Sequence, residues 1–266
     1  MSLSHISRLL VPVLGLLSTA SSGHAPPFGP GEQLVFRTSF LGIPAGTVQV
    51  TVGAEFPDRP GVWPIVAFGR TDPGMFFFPV RDKVVIHWDV GGERTLGMEM
   101  WADENHKRQR LRIVFDRAGG TARVLRQWEG QEPAETEVAV EPGSTDVASA
   151  IYLLRTRELE PGHELSIPIL TPSKQFALRA VVERREQLHT PLGERTTVRV
   201  RLTTDFSGKL KAKRDLIIHF TDDEAHVPVR FESDFAWGTV VAELSDFHPG
   251  RVPAPPPAAT IRPEVR

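Results

Sequence analysis

The stretch that most constrains the fold runs from Gly143 to Leu159, GSTDVASAIYLLRTREL. It is the one long run with helical spacing in a sequence that otherwise alternates as strands do. Ser144 or Thr145 can accept a hydrogen bond from the first free backbone N–H groups, and Asp146 places negative charge where a helix dipole favours it. Val147, Ile151 and Leu154 recur at i, i+4 and i+7 as one apolar stripe, while Ala148, Ser149 and Ala150 keep the remaining surface small. Arg155 and Arg157 suit the C-terminal end of the dipole, and Pro161-Gly162 stops the helix. One amphipathic helix cannot bury its stripe alone, so it must lie on a sheet made by the rest of the chain.

The flanking sequence supplies that sheet. Leu34 to Phe40 and Thr47 to Val52 alternate around a Gly42-Ile43-Pro44-Ala45-Gly46 turn, which reads as a hairpin. Further strands are expected at Val62–Arg70, around Val84, Ile86 and Trp88, around Leu96, Met98 and Met100, and around Leu111, Ile113 and Phe115. Weaker runs cover Val124–Trp128 and Thr136–Val140. Beyond the helix, Leu165–Leu170, Phe176–Arg184, Thr196–Leu202, Asp215–Phe220, Val227–Phe231 and Thr239–Leu244 all alternate. The pattern predicts a mainly β protein with some α (α+β): roughly a dozen antiparallel strands as a curved sheet or half-barrel, with one main helix on its concave face. The domain is placed at residues 31–248. Residues 21–30 read as a disordered leader and residues 249–266 as a Pro-rich disordered tail.

Residues 1–20 read as a signal peptide. His5 and Arg8 precede the apolar run Leu9–Leu17, which is too short to span a bilayer, and Ser18-Thr19-Ala20 supplies small residues for cleavage. The chain has no Cys, which excludes a disulfide framework, a thiolate metal site, a Cys nucleophile and a lipid-modified Cys. The expected location is therefore the periplasm: exported, soluble, not a lipoprotein, with no membrane span left after cleavage. A net charge of −2 argues against nucleic acid as a partner.

Motifs for chemistry are sparse. There is no G-x-S-x-G elbow, no phosphate-binding glycine loop and no H-E-x-x-H after His163-Glu164. Asp222, Asp223 and His226 form the most metal-like cluster, but turn chemistry accounts for them, and neither a metal nor a cofactor is expected. Lys209, Lys211, Lys213 and Arg214 read as a solvated hairpin tip, with contact to anionic headgroups as the sharper alternative. In Met75-Phe76-Phe77-Phe78 the three Phe cannot all face one side of a strand, so the run either plugs the core or forms an apolar lip at a cavity mouth. Five Trp are scattered among strands as core and rim residues.

Several short motifs recur in a distinctive order. The helix carries D-x-x-S-A-x-Y-x-x-R at Asp146, Ser149, Ala150, Tyr152 and Arg155, where Tyr152 is the only Tyr. G-I-P-A-G lies at Gly42–Gly46, Phe115-Asp116 ends a strand, T-P-x-G falls at Thr190, Pro191 and Gly193, and D-D-x-x-x-x-P-V at Asp222–Val229. From about Gly31 to Phe247 the chain thus resembles the DUF3108 family of exported bacterial proteins. That resemblance implies an architecture similar to the LolA/LolB-like group, a curved antiparallel sheet with a helix on its concave side around an apolar cavity. Relatives of that kind carry lipoprotein acyl chains. The family offers no catalytic residues to carry over, and His226 stands where a basic residue is expected.

The resulting expectation is a non-catalytic protein binding an apolar or amphiphilic, lipid-like ligand between sheet and helix. Tyr152 and Arg155 are its polar anchors, and Ile151, Phe76, Phe77, Phe78 and Trp88 its apolar contacts. The packing alternative has Tyr152 bonding a buried backbone group and Arg155 pairing with Asp146 or capping a strand end. A second class is an envelope assembly protein with a solid core, meeting a protein partner through its surface and Pro-rich tail. The third is a hydrolase, which would need His87, His226 or paired carboxylates to converge in a cleft.

Overall fold

The computed structural model describes residues 25–75, 79–204, 215–235 and 238–251. Among them, fourteen strands form one antiparallel sheet. Before the helix come β1 (Gln33–Phe40), β2 (Ile43–Val52), β3 (Val62–Thr71), β4 (Val80–Asp89), β5 (Arg94–Glu104), β6 (Lys107–Asp116), β7 (Thr121–Trp128) and β8 (Ala134–Ala139). After it come β9 (Glu164–Thr171), β10 (Lys174–Thr190), β11 (Gly193–Thr204), β12 (Leu216–Thr221), β13 (Pro228–Phe235) and β14 (Gly238–His248). Each alternating run of the sequence is one of these strands. The order across the sheet is β8-β7-β6-β5-β4-β3-β2-β1-β14-β13-β12-β11-β10-β9. Every ladder joins strands consecutive in the chain except β1–β14.

The helix α1 (Val147–Arg155) is shorter than the sequence predicts, and its cap differs. Asp146 is the N-cap: its Oδ1 accepts from Ser149 N at 2.9 Å, and Ser149 Oγ donates to its Oδ2 at 2.5 Å. Ser144 and Thr145 lie before the helix, and Thr145 joins β9, donating to Pro168 O (2.9 Å) and accepting from Leu170 N (2.8 Å). The expected apolar stripe is also rotated. Val147 is 49% exposed, while Ala150, Tyr152, Leu154 and Arg155 are buried. A helix enclosed on two sides buries more than one i, i+4 row, so the row of largest aliphatic residues does not by itself mark the inner face.

The packing shows the enclosure. Ala150 and Leu154 sit in a core with Ile167, Ala180, Val200 and Ile218 of β9–β12. Tyr152 sits in another with Val52, Ile65, Ile86 and Trp88 of β2–β4. Those strand groups are far apart in the sheet order, so one short helix can touch both only if the sheet curls around it. The curl nearly closes. Leu170 of β9 packs with Met98, Leu111 and Ile113 of β5 and β6, and Gln175 Nε2 donates to Ala139 O across the gap (2.8 Å). The edges β8 and β9 share no ladder. Exposed Glu135 and Glu137 on β8 discourage another strand from adding to that edge.

Two local expectations are corrected. The β1–β2 turn is Leu41-Gly42, with φ of 51° and 79°, the two-residue turn whose twist suits a hairpin, and β2 already begins at Ile43. Gly46 lies inside that strand, where a Cβ would fall 2.3 Å from Arg70 O and only glycine fits. The described part of the supposed leader is packed, not loose. Phe28 is 1% exposed and touches Trp63, Trp88 and Tyr152 edge to face. Its neighbours Pro27, Gly29 and Pro30 made the segment look structureless, but one buried aromatic ring is enough to hold it. The signal region and the tail beyond Arg251 lie outside the described residues.

Candidate functional site

An apolar cavity of about 270 Å³ lies between α1 and the sheet. Period-two alternation builds its sheet wall: Leu34 and Phe36 from β1, Val48 and Val50 from β2, Ile65 and Ala67 from β3, and Ile86 from β4. Phe231 and Ala242 continue that wall on β13 and β14, and Pro228 stands at the start of β13. The helix contributes Ala148, Ile151 and Tyr152. Small residues make the space: Ala67, Ala148 and Ala242 stand where larger side chains would fill it.

Tyr152 contributes apolar ring surface to that lining. Its ring packs on Phe28 at 4.7 Å between centroids, and its Oη is buried without a hydrogen-bond partner. Burial, and then the negative charge of Glu32, push its pKa up, with Arg155 opposing. The phenol therefore stays protonated and can donate. A buried hydroxyl with no partner is costly and uncommon.

Arg155 is engaged elsewhere. Its guanidinium forms a bidentate pair with Glu32, Nη1 to Oε1 at 2.7 Å and Nη2 to Oε2 at 2.8 Å. Nε and Nη2 also donate to Ala225 O (3.3 and 3.2 Å), and Arg155 O accepts from His226 Nδ1 (3.1 Å). The side chain is fully buried, its guanidinium against both the Phe28 and Tyr152 rings. The packing alternative pairs Arg155 with Asp146 or has it cap a strand end; its ion-pair partner is Glu32, and Asp146 is committed to the helix cap. Arg155 thus ties the helix to the strap preceding β1 and to the β12–β13 turn.

The structure brings Ile151 and Tyr152 together at the apolar cavity. Trp88 shares a core cluster with Tyr152 but lines a second cavity of mixed polar and apolar character. Phe76, Phe77 and Phe78 fall outside the described residues, as do Lys209, Lys211, Lys213 and Arg214. Thr221, Asp223 and their neighbours make a turn: Thr221 Oγ1 donates to Asp223 Oδ1 (2.7 Å), which also accepts from Ala225 N (3.0 Å). Asp222 accepts from Arg185 at 3.0 Å. Among the described residues no group of three or more His, Asp or Glu could hold a metal ion. His87 faces outward, where its Nδ1 meets Arg59 Nη1 at 2.9 Å, and burial and then Arg59 lower its pKa. His226 is bound to the helix end, so the two histidines do not converge.

Asp82 lies on the inner face of β4, two alternate positions beyond Ile86 toward the β3–β4 turn. Burial, then the charge of Glu104, push its pKa up to about 6. Glu32, Phe28 and Asp82 had no sequence signal as members of this assembly. Glu32 and Arg155 are separated by 123 residues, and a charge preceding an alternating run looks like any surface charge.

Fold and cavity together define a class of protein: a curled up-and-down antiparallel sheet around one short helix, with apolar space between them. The chain belongs to the DUF3108 family, proteins of unknown function, whose pattern matches residues 35–245. No curated protein matches it. Among solved structures, a β-barrel-like protein of domain of unknown function DUF1849 from Brucella abortus shares the fold. It aligns with a TM-score of 0.57 at 7% identity, covering 83% of this chain and 98% of that one. A candidate lipoprotein from Parabacteroides distasonis ATCC 8503 (TM-score 0.33, 9% identity, 84% and 99% covered) is too distant in geometry to define the fold. So is a candidate exported protein of YmcC-like fold from Bacteroides fragilis NCTC 9343 (0.34, 10%, 84% and 98%). Among the described residues no helix is long and apolar enough to cross a membrane.

Proposed function

We propose that the protein is a non-catalytic periplasmic binder of a small apolar or amphiphilic ligand, held between the curled sheet and α1. The observation that carries this reading is the 270 Å³ apolar cavity itself, walled by side chains of the sheet and by Ala148, Ile151 and the Tyr152 ring of α1. An apolar cavity of about 150 Å³ is already enough to take benzene. At roughly 30 Å³ per heavy atom, the space suits about nine heavy atoms, a single short chain or one substituted ring. That is too little for the two acyl chains of a phospholipid. Burying about nine methylene-sized groups gains at most about 7 kcal/mol, at roughly 0.8 kcal/mol each. Association costs about 4 kcal/mol or more, so apolar burial alone gives only weak binding.

The test is uptake of a medium-chain fatty acid, followed by native mass spectrometry of the mature protein. Ala148→Phe and Ala242→Phe fill the cavity from opposite walls and are expected to abolish uptake in proteins with unchanged circular dichroism. Tyr152→Phe keeps the apolar ring in the lining and is expected to keep uptake. Uptake unaffected by either Phe substitution would refute the location. No uptake by the wild type, together with no co-purifying small molecule, would refute the binding role. The second reading, a protein acting through its surface, is favoured by Leu41 and Ile43, 61% and 62% exposed on the β1–β2 hairpin. It predicts that Leu41→Ser/Ile43→Ser abolishes capture of an envelope protein partner and leaves fatty-acid uptake intact.

A further inference from the structure

A second cavity, about 420 Å³, lies near the seam, where the β4–β5 turn, the β6–β7 turn, the segment before α1 and α1 itself meet. Its walls carry three arginines, Arg94, Arg117 and Arg157, and three acids, Glu93, Asp116 and Glu141. Most of these charges are answered locally. Arg94 Nε donates to Asp89 and Arg157 Nη1 to Glu93, both at 3.1 Å. Asp116 accepts from Ala118 N and Gly119 N. Glu141 is exposed to water.

Arg117 differs from the other two. It has no carboxylate within 4 Å among the described residues. Its Nη atoms donate to backbone carbonyls, Ser144 O (2.7 Å) and Thr95 O (2.5 Å), and its Cζ lies 4.1 Å from the Phe115 ring centroid. Burial, then the positive charge of Arg94, pull its pKa down to about 10. It is a half-buried cation with a like charge beside it and no carboxylate in direct contact; Asp146 and Asp89 act on it from farther away.

Three hydrogen-bonding atoms on the residues of this wall are buried and unpartnered: Trp88 Nε1, Ser144 Oγ and Arg117 Nε. Trp88 and Ser144 are 0% and 1% exposed. The indole and guanidinium N–H groups only donate, and the serine hydroxyl can donate. Native proteins leave few such groups unpaired, and three beside one cavity share a single complement, an oxygen acceptor. Arg117, with no carboxylate in direct contact, favours an anion as that acceptor.

We propose that the seam cavity binds a phosphate-type oxyanion carried on a small organic body, with Arg117, Ser144 and Trp88 as its donors. At roughly 30 Å³ per heavy atom the space takes about fourteen heavy atoms, more than a bare phosphate, so the anion comes attached to something. The donors lie just beneath the cavity surface. All three atoms lack accessible surface in the free protein, so binding requires their side chains to turn toward the cavity. This site stands apart from the apolar cavity, and either can fail without the other.

Trp88 supplies its own readout. In a 15N-labelled protein the Trp88 indole N–H resonance, assigned with Trp88→Phe, is followed while inorganic phosphate, glycerol phosphate or dihexanoyl phosphatidate is added against sodium chloride of matched ionic strength. A saturable movement of that resonance is expected. Ser144→Ala and Arg117→Gln should each weaken the apparent affinity about tenfold, the effect of one lost charge-assisted hydrogen bond. Ser144→Ala removes a hydroxyl that bonds nothing in the free protein, so it keeps the test valid if Arg117→Gln does not fold. A response to phosphatidate but not to glycerol phosphate assigns the anion to a lipid headgroup; a response to both assigns it to a soluble phosphate ester. No saturable movement with any of the three, or a movement unchanged by Ser144→Ala, would overturn the proposal.

Discussion

Replacing Glu32 by Leu should be the most damaging single change to the helix anchor. The Arg155 side chain is 0% exposed and that of Glu32 3% exposed, and their two hydrogen bonds are 2.7 and 2.8 Å long. Removing the carboxylate leaves a guanidinium in the core with only Ala225 O as acceptor. Breaking a buried pair from one side costs about 3–5 kcal/mol. For a domain of this size each kcal/mol lowers Tm by about 2–4 °C, so a fall of about 6–20 °C is expected. Arg155→Met should cost a similar amount, but the double variant Glu32→Leu/Arg155→Met far less than the sum, since no charge remains buried. The pair Arg179–Glu164 is an internal control: its closest contact is also 2.7 Å, but its side chains are 58% and 50% exposed. Glu164→Gln should cost less than about 1 kcal/mol. Urea unfolding followed by tryptophan fluorescence measures all four variants. A cost for Glu32→Leu as small as that for Glu164→Gln, or strict additivity in the double variant, would refute the reasoning.

Gly46→Ala should destabilise by about 1–3 kcal/mol, because its Cβ would meet the backbone of β3 at 2.3 Å and cannot be relieved by a side-chain rotation; thermal unfolding reads it directly. Asp82 binds its proton more tightly in the folded state, with a pKa of about 6 against 3.8, so the folded protein holds more protons between those values and loses stability as pH rises through them. Asp82→Asn should flatten that part of the stability curve, measured by urea unfolding from pH 4 to pH 7; a slope unchanged by the substitution would place the titration elsewhere.

How much of this could be read from the sequence follows from the range of the interactions involved. Alternation is a local property, and each alternating run became a strand with the expected residues facing inward, such as Val198, Val200 and Leu202. The helix was legible for the same reason, but its phase was not. Which rows are buried depends on strands on both sides of it, so Val147 proved exposed and Arg155 buried. The cavity was invisible as a volume. Alternation says which side chains face in, not whether Ala67, Ala148 and Ala242 come together to leave space. The strap around Phe28 was misread because composition describes an average, and one aromatic ring among prolines and glycines decides its placement. The Glu32 pairing joins distant parts of the chain and has no local mark at all.

The β1–β14 ladder has a consequence for the order in which the molecule can assemble. Ser245 Oγ donates to Val35 O across 210 residues of chain, whereas every other ladder joins neighbours. Strands β1–β8 can therefore form hairpin by hairpin as the chain emerges, and β9–β14 can do the same later, each as a separate meander. The β1–β14 ladder joins the two halves last, after the longest loop in the fold has been closed. Closing so long a loop adds little extra entropy cost but limits the rate. Until then β1 keeps one unpaired edge, exposed to any other extended chain crowded beside it. Newly made protein is thus most vulnerable at its first strand, and for as long as its last strand is missing.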